Sequence, residues 1–143
     1  MKINNYEYDE TYQGMRFEFK KVITNEDLDS FAKIVGDYNP LHCDVEFAKK
    51  KGFKDRVVYG MLAGSLFSTL VGMVCPGKNN LYLSQNLNFR EPIYAGEELV
   101  IRGEILSKID GINLLVIKTE IISNKSIKVE GVAKVRIIGD KDG

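Results

Sequence analysis

Met15, Phe17 and Phe19 alternate with Arg16, Glu18 and Lys20, which predicts a half-buried strand over 15–20. Thr24-Asn25-Glu26-Asp27 has the spacing of a capping box, and Leu28, Phe31, Ala32 and Val35 follow at helical intervals. An amphipathic helix is therefore expected from there to Gly36. Asp37-Tyr38-Asn39-Pro40 reads as a turn, because Pro40 steers Asn39 away from helical geometry. A short helix is expected from near Asp44 through Phe47 and Ala48 to Lys50, stopped by Gly52. Val57 and Val58 lead into Gly60, and Met61–Cys75 is an apolar run closed by Pro76-Gly77. As a helix that run reaches only about 22 Å, at roughly 1.5 Å per residue. A bilayer core needs about 30 Å. Short and apolar on every side, it predicts a helix buried in a protein core.

Downstream, the period changes from helical to alternating. Leu81, Leu83, Gln85, Leu87 and Phe89 are expected on one strand face, as far as Pro92. Strands are predicted over Leu99–Ser107 and Ile112–Ile122, with turns at Asp110-Gly111 and Asn124-Lys125. The last strand sets Ile127, Val129, Gly131, Ala133, Val135 and Ile137 against Lys128, Glu130, Val132, Lys134 and Arg136. Turns this short imply antiparallel neighbours. One apolar helix followed by four such strands is best buried when the sheet wraps the helix, an α+β architecture. A sheet of this size leaves edges, so pairing with another copy is expected. Residues 1–143 read as one domain with an ordered core of about 15–138 and a frayed tail from Gly139 to Gly143.

Composition narrows the function classes. Lys plus Arg number 20 and Asp plus Glu number 20, so the basic excess of a nucleic-acid binder is missing. The one histidine, His42, and two cysteines, Cys43 and Cys75, do not make an ordinary zinc site. Two lone cysteines fit a reducing compartment. The start, MKINNYEYDETYQGM, lacks the apolar run of a signal peptide, so the expected location is the cytoplasm, with no membrane attachment.

Candidate chemistry is concentrated in Gly36-Asp37-Tyr38-Asn39-Pro40-Leu41-His42-Cys43-Asp44, a polar loop between two predicted helices. Asp37 and His42 can face one water molecule across the turn. Adding water to a double bond needs a group that takes a proton and one that delivers a proton to carbon. The same residues are also ordinary turn formers and caps. Gly60, at the first turn of the apolar helix, lets a ligand approach free backbone N–H groups, which suit an oxygen gaining negative charge. Gly60 equally suits tight helix packing. Ser65, Ser68 and Thr69 either bond back to helix carbonyls or brace the site. Lys49, Lys50, Lys51, Lys54 and Arg56 form a basic run, either solvated or in contact with the phosphates of coenzyme A or a phosphopantetheine carrier.

Taken together, Asp37-x-Asn39-Pro40-x-His42-x-Asp44, Phe47-Ala48 and Gly60-Met61-Leu62 with Ser65 and Ser68 resemble the MaoC-like hydratases, most closely the (R)-specific enoyl-CoA hydratases. Pro76-Gly77, Gln85–Phe89, Pro92 and Gly96–Leu99 extend the resemblance, which runs from about Phe17 to Ile137. It implies a hot-dog fold, a long central helix wrapped by an antiparallel sheet, and a homodimer or higher homo-oligomer with sheets joined edge to edge. It implies that Asp37 and His42 hold the catalytic water, one taking its proton and the other serving the α-carbon in a syn addition. Gly60 would stabilise the enolate-like oxygen and Ser68 would support the site. Asn39, Tyr59, Leu62 and Ser65 are expected to contact substrate alongside Ser68. The family usually has His directly before Gly-Met-Leu; here Tyr59 stands there.

The implied substrate is an acyl-CoA or acyl carrier protein thioester, with no metal or redox cofactor. A hot-dog thioesterase and a non-catalytic acyl-thioester binder are the alternatives.

Overall fold

Three long antiparallel strands dominate the protein, whose computed structural model describes residues 1–141. In chain order the elements are β1 (Arg16–Val22), α1 (Asn25–Val35), α2 (Pro40–Cys43), α3 (Val45–Lys50), α4 (Gly60–Thr69), β2 (Asn80–Gln85), β3 (Asn88–Phe89), β4 (Glu98–Ile109), β5 (Leu114–Ser123) and β6 (Ser126–Ile137). A π turn over Leu70–Val74 extends α4. The strands form one sheet in the order β1–β4–β5–β6–β2, and β3 also pairs with β6. Every pairing is antiparallel. This is the α+β arrangement the periodicity predicts: one sheet about one central helix. β6 ends at Ile137; the expected fraying of the tail falls partly on residues 142–143, outside the described residues.

Register explains the core. Ile101 lies opposite Ile121, Ile105 opposite Ile117, Ile117 opposite Ala133 and Leu115 opposite Val135. All seven are fully buried. They meet Ala63, Leu66 and Phe67 of α4 and Leu70 and Val71 of the π turn in one apolar cluster. Burying each large side chain contributes about 1.5–3 kcal/mol. Between the bulky rows runs Gly103–Thr119–Gly131, in register across three strands. A Cβ at Gly103 would come within 3.2 Å of Leu70 and closer still to the Phe17 ring, so the missing side chain makes room for both.

Local signals hold where they depend on few residues. Thr24 and Asp27 make both bonds of the capping box, and Gly36 closes α1 in the left-handed region at φ 76°. Asn124 and Lys125 both have positive φ, as a two-residue hairpin turn requires.

Three expectations change. The first concerns Leu81–Phe89, which do not share one face. A bulge between Tyr82 and Ser84 shifts the pairing with β6, so Tyr82 and Leu87 pack on the core while Leu81 and Leu83 stay about half exposed. The second concerns α4, which is not covered all round: Met61, Ser65 and Ser68 are exposed along one side. The third concerns His42, which lies on a helical turn rather than in an open loop. Asn39 caps that turn by accepting from the Leu41 N–H, and Pro40 takes its first position. Among the described residues no helix is long and apolar enough to cross a membrane.

Candidate active site

The segment Arg56–Tyr59 lies alongside residues 37–42 and holds them at successive points. The Arg56 Nε–H donates to the His42 carbonyl at 2.7 Å, and its Nη2 reaches Asp29 at 2.6 Å. The Val57 N–H donates to the Leu41 carbonyl at 3.1 Å. His42 Nδ1 lies 2.7 Å from the Val57 carbonyl oxygen. That oxygen can only accept, so Nδ1 carries the proton and, in the neutral ring, Nε2 is left as a base. The Tyr59 hydroxyl donates to the Asp37 carbonyl at 2.5 Å, and its ring stacks on His42 with centroids 4.1 Å apart.

The carboxylate is set by a turn of its own. Gly36 ends α1, and the Asn39 N–H then donates to Asp37 Oδ1 at 3.0 Å. Asp37 is therefore aimed by its immediate sequence and tied to the rest of the fold through its carbonyl. Tyr59 is almost fully buried, and that burial pushes its phenol well above the ordinary range, so the hydroxyl remains a donor.

Asp37, His42, Tyr59 and Gly60 line one cleft of about 780 Å³. Its other walls come from Phe31 and Val35 of α1, Val57, Val58, Met61, Ala63, the stretch Phe89–Ile93, and Val129. The cleft is thus apolar with a few polar groups on one side, as small-molecule clefts generally are. Gly60 is the first residue of α4, and no side chain caps that end. The opening amides of a helix have no carbonyl one turn back to bond, so those of Gly60 and Met61 are free to meet an oxygen in the cleft. A Cβ on Gly60 would stand 2.8 Å from the Phe89 ring, which leans over this backbone.

The remaining candidates lie apart. Asn39 uses its side chain as the α2 cap. Leu62, Ser65 and Ser68 are not among the residues lining the cleft; Ser65 donates to the Leu62 carbonyl at 2.6 Å and, like Ser68, faces outward. Lys49, Lys50, Lys51 and Lys54 are exposed, whereas Arg56 is spent on His42 and Asp29 and leaves the basic run. Among the described residues no three His, Cys, Asp or Glu side chains gather as a metal site needs, and both cysteines are free.

Sequence reasoning missed Phe31, Val35, Phe89, Arg90 and Glu91 as cleft walls. Phe31 and Val35 had a signal: they continue the apolar face of α1 to its end, and Val35 remains 54% exposed. Glu91 had none. Hydrogen bonds from Lys128 and Ser126, both 2.8 Å, hold its carboxyl below the usual range.

The MaoC-like domain model matches residues 9–126. An (R)-specific enoyl-CoA hydratase of Aeromonas caviae is 33% identical over 87% of this chain and 93% of its own length. A mitochondrial 3-hydroxyacyl-[acyl-carrier-protein] dehydratase of Arabidopsis thaliana is 42% identical over 56% of this chain. The match spans only about half of that longer relative, 47% of its length. Among solved structures, an unliganded R-hydratase from Pseudomonas aeruginosa superposes with a TM-score of 0.90 at 32% identity, covering 96% of this chain and 89% of its own.

Proposed function

The chain belongs to the MaoC-like domain family, and from that premise we propose that it catalyses the reversible addition of water to a trans-2-enoyl thioester, as an (R)-specific enoyl-CoA hydratase and 3-hydroxyacyl-thioester dehydratase. The observation that carries this reading is His42 with Nδ1 bonded to the Val57 carbonyl, in one cleft with Asp37 and the uncapped start of α4 at Gly60.

The chemistry follows from those positions. A water sits between Nε2 of His42 and the Asp37 carboxylate. The carboxylate accepts one water hydrogen and aims the oxygen at C3. Nε2 takes the other as the C–O bond forms, and the π electrons move toward the thioester oxygen. The Gly60 N–H and the helix dipole stabilise the negative charge arriving there. The imidazolium then gives its proton to C2 on the same face, which makes the addition syn and restores the neutral ring. Dehydration runs these steps backward. No metal or redox cofactor enters the scheme.

The acyl chain runs along the apolar wall, and the phosphate end of coenzyme A or of an acyl carrier protein meets Lys49, Lys50, Lys51 and Lys54. A second copy covers the exposed side of α4 and the edge strand β2, giving a homodimer that brings Ser65 and Ser68 near the substrate path. With two free cysteines, the cytoplasm is the fitting compartment. The test is loss of the conjugated enoyl-thioester absorbance with crotonyl-CoA. Rapid decay that Asp37→Asn abolishes supports hydration. Release of free thiol with the double bond intact points instead to hydrolysis.

A further inference from the structure

We propose that Tyr59 is the positioning residue of this site, and that its hydroxyl holds Asp37 in working register with His42. The proposal rests on the reading of Asp37 and His42 as the water-binding pair.

Asp37 and His42 belong to different pieces of backbone. Asp37 follows the left-handed end of α1 at Gly36, and His42 rides on the one-turn helix α2. The turn between them fixes Asp37 relative to Asn39. Tyr59 contacts both pieces at once. Its hydroxyl donates to the Asp37 carbonyl, 22 residues earlier in the chain, and its ring lies 4.1 Å from the His42 ring at an interplanar angle of 26°. Phe31 also packs on the ring, with centroids 4.9 Å apart, so Tyr59 contacts both α1 and α2. The phenol has one donor to offer, and an exposed segment gains order from a buried anchor.

The imidazole usual at this position in the family titrates near neutral pH. A buried phenol does not, so the ring beside His42 stays uncharged. The charged and titratable groups around that ring are Asp37, Cys43, Arg56 on the His42 carbonyl, and Arg90 and Glu91 across the cleft. Of these, Asp37 and Cys43 touch the Tyr59 hydroxyl, Cys43 at 3.6 Å.

His42 is the only histidine in the chain, so its NMR titration needs no assignment. The experiment compares that titration, together with crotonyl-CoA kinetics, in wild type, Tyr59→Phe, Asp37→Asn and the double variant. Tyr59→Phe keeps the ring stack and removes the hydroxyl alone. It is expected to lower kcat about tenfold with KM within about twofold, as a loosened catalytic group does. It is also expected to shift the His42 midpoint, because the influence of a carboxylate on an imidazole depends on where the carboxylate is held. In the Asp37→Asn background that shift should vanish, since the hydroxyl then has no carboxylate to position. Tyr59→His should recover part of kcat and add a second ionisation to the pH–rate profile.

An unchanged kcat and midpoint in Tyr59→Phe would overturn the proposal. So would an equal midpoint shift with and without the Asp37 carboxylate. If wild type hydrates no enoyl thioester, the functional reading fails while the titrations still decide the role of Tyr59.

Discussion

Ile101, Ile105, Ile117 and Ile121 on β4 and β5 are completely buried and held by apolar packing, whereas Asp37 is exposed and held by single hydrogen bonds to Asn39 and Tyr59. The sheet derives its order from area removed from water, which is undirected and shared among many neighbours. The 37–42 segment derives its order from a few directed contacts made by Arg56, Val57 and Tyr59. Damage to the first region should therefore appear as lost stability, and damage to the second as lost turnover in a protein that still folds.

The largest expected effect is at the site. His42→Ala and Asp37→Asn should each lower kcat by about 10²–10⁴. Asp37→Asn should leave stability within about 0.5 kcal/mol, because the position is exposed. Crotonyl-CoA kinetics beside denaturant melts would check the split, and a large stability loss in Asp37→Asn would break the comparison. Next, Leu115→Ala or Ile117→Ala should destabilise by about 2–5 kcal/mol through the cavity left in the sheet. Their kcat per folded molecule should stay near wild type.

Gly60→Ala sharpens the boundary between the two regions. Its Cβ would stand 2.8 Å from the Phe89 ring, which is half exposed and free to shift, so stability should change little. The methyl group would crowd the amide proposed to meet the thioester oxygen, and kcat should fall about tenfold or more. If Gly60→Ala with Phe89→Ala recovers full activity, the defect is steric rather than at the amide.

The smallest effect concerns acid stability. Lys128 and Ser126 depress the Glu91 carboxyl in the folded state. Its contribution is present above the unfolded carboxylate pKa and is lost as pH falls through the lower folded value. Glu91→Gln should therefore lessen the fall in melting temperature between neutral and acid pH.

The two regions also differ in how much of them the sequence discloses. The sheet core was readable because Val129, Ala133, Val135 and Ile137 alternate without interruption and Asn124-Lys125 marks the hairpin. The turn and cap formed by Asp37, Asn39 and Pro40 were readable because their signals lie within a few residues of one another. The bulge between Tyr82 and Ser84 was not, since it depends on how β2 meets β6 far along the chain. Arg56 read as one more surface cation in a basic run; its engagement with His42 and Asp29 appears only when α1 and α2 come together. The exposed side of α4 is likewise hidden from periodicity, because Met61 and Ser65 look the same whether the sheet covers them or not.

The most direct test of the account is to run the reaction on crotonyl-CoA in deuterium oxide and analyse the product by NMR. Water held between Asp37 and His42 on one face predicts a (3R)-3-hydroxyacyl thioester carrying one deuterium at C2, placed by syn addition, and no product from His42→Ala. A (3S) product, anti placement of the deuterium, or an undiminished yield from His42→Ala would contradict it.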